Sequence, residues 1–301
     1  MTFLDIEDAR IAYDIQGDIQ GDILGDIQGD IQGAQSGNLP TITTNESLNT
    51  QPNKDQEPPP ARKMQLLLLL NGGQRPRSDF RALRRRLHAQ VPGLVTLALD
   101  HRGSGETNDG NLNASHSSIE GMSTDAKIVA HHVLTQVKLD SYSVLGISMG
   151  GMIAQTLAAQ DKSVAKLILA STSSKGFRQR TAPIPLQNYF GRMFAASHTA
   201  MVDAFVQSVL KDTKSDEAKL RAAWQRTAID AFDGGSQLPK ILARTVIISG
   251  DDDAVVPHAH SEEIHRQLPH SELITYPQTG HILLVENPER FANDVATFLK
   301  L

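Results

Sequence analysis

Apolar positions fall along the chain in two alternating rhythms. Short, mostly apolar runs at Leu66–Leu70, Leu94–Leu99, Ser143–Ile147, Val164–Ala170 and Arg244–Ser249 have the length and composition of strands buried on both faces. Between them, apolar residues recur three and four apart, as in Phe80, Leu83 and Leu87, the spacing of one helix face. Ser78 is the expected cap of that helix and Pro92-Gly93 its breaker; Ser123 is expected to cap the next, which runs to about Lys138. A helix to Gln160, another near Ser261–Gln267, a strand at Ser271–Tyr276 and a closing helix at Pro288–Leu301 complete the pattern. At the start, Thr2–Glu7 and Arg10–Gln16 flank Asp8-Ala9 and read as a hairpin. Strands alternating with helices predict an α/β fold, a mostly parallel central sheet flanked by helices.

The rhythm breaks twice. From Ser171 to Lys240 the alternation stops; helical patches at Met201–Leu210 and Glu217–Phe232 are joined by scattered aromatics, among them Tyr189, Phe190, Phe194, Phe205 and Trp224. This reads as a helical cap inserted after the sixth strand, in a position to roof a site. Five tetrapeptides also run in tandem from Asp14 to Gly33, four of them Asp-Ile-Gln-Gly and the middle one Asp22-Ile23-Leu24-Gly25. A helix would carry five glycines at about 1 kcal/mol each relative to alanine. A strand would put Ile and Gly on one face and Asp and Gln on the other. Calcium-binding repeats use a nine-residue period, whereas this repeat has a period of four. A loosely extended or disordered low-complexity segment is the expectation. Ala34 to Lys63, ending near Pro58-Pro59-Pro60, reads as linker. The expected organisation is a core of residues 1–16, 64–170 and 241–301, a repeat-and-linker insertion at 17–63, and a cap at 171–240.

Composition narrows the classes. With 301 residues, 40% of them hydrophobic, the chain is long enough for one sizeable core plus additions. A net charge of −5 offers no dense basic field, which argues against nucleic acid as a partner. The basic cluster Arg81, Arg84, Arg85 and Arg86 is expected on the solvated face of its helix. There is no cysteine, which excludes disulfides, thiol catalysis and thiolate metal sites. Met1–Glu7 shows no basic region followed by an apolar run, and the longest wholly apolar stretch, Leu66–Leu70, is far short of a membrane span. A soluble, cytoplasmic protein is expected.

The chemistry gathers around Gly146-Ile147-Ser148-Met149-Gly150. It lies between a strand and the helical stretch beginning at Gly151, the context in which G-x-S-x-G holds a serine on a strained turn with its hydroxyl exposed. A serine hydroxyl needs a base to take its proton, and the base needs an orienting acid. Asp251-Asp252-Asp253 follows one later strand and Gly280-His281 follows another. In a parallel sheet such loops emerge at one edge, so Ser148, one of the three aspartates and His281 can converge. Their order, Ser, Asp, His, is the one expected there.

Over residues 1–16 and 64–301 the chain resembles the α/β-hydrolase superfamily. The residues that carry the resemblance are Asn71-Gly72-Gly73, Asp100-x-Arg102-Gly103-x-Gly105, Gly146-x-Ser148-x-Gly150-Gly151, Gly250-x-x-Asp253-x-x-x-Pro257, and Gly280-His281 with Glu286-Asn287-Pro288. The resemblance implies Asp253 as the acid, with Asp251 and Asp252 as fallbacks, and backbone N–H groups of Gly73 and Met149 as the oxyanion hole. Asn71 stands where relatives usually carry histidine. It also implies a small-molecule ester or lactone substrate, an acyl-enzyme on Ser148, and no metal or organic cofactor. C–C bond hydrolase, enol-lactonase, cofactor-free perhydrolase and a non-catalytic receptor share the constellation. Asp100 and Arg102 are expected to shape a turn, and His131, His132, His258 and His260 to be surface side chains rather than metal ligands. The second strand of such folds runs antiparallel, which puts 17–63 at the sheet edge away from the catalytic loops.

Overall fold

The structure, a computed structural model, describes residues 2–6, 9–17, 63–108, 118–177, 182 and 184–301. Its centre is an eight-stranded sheet: β1 (Thr2–Ile6), β2 (Ala9–Gly17), β3 (Gln65–Leu70), β4 (Leu94–Leu99), β5 (Tyr142–Ile147), β6 (Val164–Ala170), β7 (Arg244–Gly250) and β8 (Glu272–Tyr276). The strand order is β1-β2-β4-β3-β5-β6-β7-β8. β1 and β2 pair antiparallel, β2 pairs antiparallel with β4, and every pairing from β4 to β8 is parallel.

The leucine run of β3 shows why the parallel strands read as continuous apolar segments. Leu66, Leu68 and Leu70 join the core on one face, Leu67 and Leu69 the core on the other, because successive side chains of a strand alternate. Helices α1 (Arg81–Gln90), α2 (Ile119–Val137) and α3 (Met149–Gln160) follow β3, β4 and β5 in turn. α2 and α3 cover the first face with Met122, Val129, Val133, Ile153 and Leu157. The other face is covered by Leu83 and Leu87 of α1 and by Phe291, Val295 and Phe298 of the last helix, which spans Pro288–Lys300. Between β6 and β7 come α4 (Arg192–Ser197), α5 (Thr199–Asp212) and α6 (Asp216–Ala231). The chain then closes with α7 (Ala259–Gln267), α8 (Leu283–Glu286) and α9 (Pro288–Lys300). Among the described residues no helix is long and apolar enough to cross a membrane.

Three local expectations need correction. Ser78 caps nothing: it lies inside a 3-10 turn, Arg77–Phe80, that begins after the extended Pro76 and runs straight into α1. Ser123 is buried within α2, whose cap is Ser118, with its Oγ accepting the Gly121 N–H at 3.0 Å. The helix starts earlier because Ile119 and Met122 extend the buried stripe by another turn. Arg84 is 1% exposed rather than solvated; it pairs with Asp14 and bonds the Thr96 hydroxyl at 2.8 Å and carbonyl at 2.9 Å.

That ion pair also locates the start of the repeat. The first tetrapeptide, Asp14 to Gly17, is the end of β2, with Asp14 held by Arg84 and Arg77 and Ile15 packed against the core. The remaining repeats and the linker, residues 18–62, lie outside the described residues. Their two attachment points are neighbours: Gly17 faces Val95 and Gln65 faces Leu94, both at the amino end of β4.

Candidate active site

Four loops leave the carboxyl ends of β3, β5, β7 and β8 and bring the sequence-predicted residues to one edge of the sheet. Ser148 stands at the end of β5 with φ 54° and ψ −119°, a conformation that costs a non-glycine residue about 1–3 kcal/mol. The surroundings hold it there. Its N–H donates to the Ala170 carbonyl at 3.0 Å, and its carbonyl accepts from Thr172 Oγ1 at 2.7 Å and Gly151 N–H at 2.9 Å. A Cβ at Gly146 would come within 2.7 Å of Gly151 Cα, and one at Gly150 within 2.6 Å of the Asn71 carbonyl oxygen. Both glycines are therefore required by close approach.

The three aspartates after β7 divide their partners. Asp251 Oδ1 accepts the Gln278 N–H at 2.6 Å, and Asp252 meets Arg192, its backbone N–H at 2.7 Å and its Nε at 2.9 Å. Asp253, buried, takes His281: its Oδ2 lies 2.8 Å from the imidazole Nδ1, while Oδ1 accepts the N–H groups of Val255 and Val256 at 2.8 Å each. A Nδ1–H donated to Asp253 leaves Nε2 as the free base. Among the described residues no hydrogen bond joins Ser148 Oγ to His281; such bonds are often long in unliganded sites and tighten with substrate.

The turn after β3 lies against the serine. The nearest atoms to a Cβ built at Gly72 are Ser148 Cβ at 3.4 Å, the Ile147 carbonyl oxygen at 3.8 Å and Ser148 Oγ at 3.9 Å. Asn71 shapes this turn from within, its Oδ1 accepting the Gly72 N–H at 2.9 Å and its Nδ2 donating to the Pro76 carbonyl at 2.9 Å. Gly73 and Met149 face each other, the Met149 Sδ lying 3.8 Å from the Cβ position of Gly73. Among the described residues neither of their N–H groups has a protein acceptor; Met149 opens α3, where the first N–H groups lack helical partners.

Several contributors escaped sequence reasoning. Tyr189 accepts the His281 backbone N–H at 2.6 Å and sets its ring edge-on to the imidazole, 5.8 Å between centroids. Glu286 accepts N–H groups from Gly280 (3.0 Å) and Gly191 (2.9 Å), and burial pushes its carboxyl above the usual range against those bonds. Gln225, in α6, is 2% exposed and reaches the turns after β3 and β4. Tyr189 carried only its aromatic class as a signal, and Gln225 carried none. The flanking polar residues are structural: Asp100 pairs with Arg77 and accepts the Glu106 N–H, and Arg102 pairs with Asp125 at 2.7 Å. The histidines at 131, 132, 258 and 260 are partly exposed, and three of them have carboxylate or hydroxyl partners. His258 meets Ser249 Oγ at 2.7 Å, His260 meets Ser173 Oγ at 2.9 Å, and His131 meets Asp161 at 2.6 Å.

Against known proteins, residues 62–288 match the family model described as serine aminopeptidase, S33. The putative carbamate hydrolase RutD of Rhizobium rhizogenes is 25% identical over 241 residues, 70% of this chain and 86% of that protein. The pimeloyl-acyl-carrier-protein methyl ester esterase of Nitrosomonas europaea is 24% identical over 200 residues, 58% of this chain and 79% of that one. Among solved structures, the enol-lactonase from Burkholderia xenovorans superposes with a TM-score of 0.70 over 100% of both chains, at 16% identity.

Proposed function

Because the chain belongs to the serine aminopeptidase S33 family of α/β-hydrolase enzymes, we propose that it is a serine hydrolase cleaving a carboxylic ester of a small or medium-sized substrate through an acyl-enzyme on Ser148. The observation that carries this reading is the Asp253–His281 hydrogen bond at the sheet edge that bears the strained Ser148. Ser148 Oγ attacks the ester carbonyl carbon as His281 Nε2 takes its proton. The carbonyl π electrons move to oxygen, and the Gly73 and Met149 N–H groups donate to that oxyanion. Collapse expels the alcohol, which leaves with the proton from His281. Water then repeats the sequence on the acyl-enzyme and releases the acid. Asp253 holds the imidazole in the tautomer that does this and stabilises the imidazolium as it forms. No step calls for a metal or organic cofactor.

The choice of ester over amide rests on the curated relatives, one a methyl ester esterase, and on the similarity to an enol-lactonase fold. A lactone is the cyclic case of the same bond. The helices between β6 and β7 are read as the cap over this site, because Tyr189 and Gln225 from that stretch bond the catalytic loops.

The test is labelling by a fluorophosphonate probe together with turnover of short p-nitrophenyl esters and lactones. Wild-type protein is expected to label and turn over, and Ser148→Ala to do neither. Absence of labelling, or labelling that survives Ser148→Ala, removes Ser148 as the nucleophile. Labelling without multiple turnover favours a receptor that keeps the constellation.

A further inference from the structure

Gln225, on a helix between β6 and β7, is 2% exposed and does not reach toward solvent. Gln225 Oε1 accepts the Gln74 N–H at 2.6 Å, and its Nε2 donates to the Arg102 carbonyl at 2.6 Å and to Ser104 Oγ at 2.9 Å. One amide thus spans three parts of the fold: α6, the turn after β3, and the turn after β4. Its own hydrogen-bonding capacity is used on backbone and one hydroxyl, with both ends anchored at 2% exposure.

The partner at the β3 end is conformationally special. Gly72 to Arg75 form a turn closed by an Arg75 N–H to Gly72 carbonyl bond of 3.2 Å. Gly73 and Gln74 are its central residues, and Gln74 has φ 60°, a position that normally selects glycine or asparagine. The peptide between central residues is the part of a turn most free to rotate. An acceptor placed on the Gln74 N–H selects one orientation of it and compensates the unfavourable φ. The Cβ position of Gly73 lies 3.5 Å from Gln225 Oε1 and 3.6 Å from Ile229 Cδ1, so α6 also packs on the residue whose N–H faces the oxyanion.

We infer that Gln225 is a positioning residue for catalysis: by clamping the Gly73–Gln74 peptide to the Arg102–Ser104 turn and packing on Gly73, it holds the Gly73 backbone in place, and with it the N–H of the preceding Gly72–Gly73 peptide that faces the oxyanion. The inference rests on the serine-hydrolase reading above. It makes the oxyanion hole a shared product of the sheet and the cap, complete only while α6 is seated. The substrate never touches Gln225; the effect runs through the Gly73 N–H, whose hydrogen bond strengthens in the transition state.

The experiment compares wild type, Gln225→Met and Gln225→Glu on p-nitrophenyl acetate, a substrate too small to depend on cap contacts. Methionine keeps the length and volume of the side chain without its hydrogen bonds. Its kcat is expected to fall about 10- to 100-fold, part of the loss seen when an oxyanion donor is removed outright, with KM within about twofold. Fluorophosphonate labelling should slow in parallel, because the phosphonyl oxygen occupies the same place. In Gln225→Glu the ionised carboxylate accepts from Gln74 but has nothing to donate to the Arg102 carbonyl; protonation restores that donor. Its kcat relative to wild type at the same pH should therefore climb as pH falls toward 5.

A folded Gln225→Met protein with unchanged kcat, or with a raised KM alone, overturns the inference and leaves Gln225 a tether of the cap. Should the methionine variant fail to fold, a flat pH ratio for Gln225→Glu overturns it instead. A wild-type protein that neither labels nor turns over overturns the catalytic reading itself, and this inference with it.

Discussion

Asp253 grips His281 with one oxygen and its own loop with the other: Oδ2 is 2.8 Å from Nδ1, and Oδ1 takes two backbone N–H groups at 2.8 Å. The carboxylate is thereby held in one orientation by its own loop. Its two neighbours in sequence are committed elsewhere, Asp252 to Arg192 and Asp251 to Gln278. Asp253→Asn should lower kcat on a p-nitrophenyl ester by about 10³–10⁴-fold, because an amide can stabilise the wrong imidazole tautomer and carries no charge for the imidazolium. Asp252→Asn, whose side chain among the described residues meets only Arg192 through its backbone N–H and guanidinium, should stay within about twofold of wild type. Equal losses in the two variants would mean that the acid has been misassigned.

His101 gives the fold an acid sensitivity independent of the active site. It is buried beside the Asn71 backbone, and burial pushes its imidazole down to about 4. Above pH 6.5 it is neutral in folded and unfolded chains alike. Below that, the unfolded chain takes a proton the folded chain refuses, so stability falls as pH drops from about 6.5 to about 4. The full loss is about 3 kcal/mol. Thermal melts of wild type and His101→Leu at pH 7 and pH 5 should show the variant losing less Tm on acidification. An identical shift in both would assign the sensitivity to other groups.

The segment between β2 and β3 should be dispensable. Gly17 and Gln65 sit on either side of β4, paired with Val95 and Leu94, which places them about two strand spacings, roughly 10 Å, apart. A linker of about five residues in place of 18–62 reaches that far with slack. The shortened protein should fold and keep kcat on short esters, since the attachment points lie at the edge opposite Ser148 and His281. A folded but inactive product would show that the segment serves the site.

Arg84 tests the anchoring of the first repeat unit. Its guanidinium is buried against Asp14 and Thr96, and burial draws its pKa down while Asp14 raises it. Arg84→Leu strands Asp14 beside Arg77 alone and leaves Thr96 with a lost donor. Urea unfolding should show a loss of about 3 kcal/mol, with kcat of the folded protein unchanged. A loss below about 0.5 kcal/mol would return Arg84 to the class of surface charges.

These cases show what the residues disclosed in advance and where they stopped. Strand positions were legible because parallel strands buried on both faces must be continuously apolar, as in Leu66–Leu70. Ser148, Asp253 and His281 were legible as candidates because each sits on a loop after a strand in a recognisable short pattern. Helix starts were less so: Ser78 and Ser123 are good capping residues, but where a helix begins depended on the burial of Phe80 and Ile119. Arg84 looked solvated because charge periodicity cannot reveal that an aspartate 70 positions earlier, in β2, will meet it. Gln225 was invisible for the same reason at longer range. A glutamine in a helical patch has no local signature for the turn, 151 residues away, that it will hold.

The loop carrying His281 is tied to the stretch before α4 as well as to Asp253. Tyr189 takes the His281 N–H, and a single carboxylate, Glu286, takes the N–H groups of both Gly191 and Gly280. Tyr189 and Gly191 precede α4, so any movement that lifts the start of that helix pulls on the backbone around the imidazole. If His281 is the base and the stretch before α4 is part of a cap, as proposed, access and reactivity oppose each other mechanically: displacing that stretch to admit a substrate would slacken the imidazole, and a ligand that holds it down would also hold the base in register.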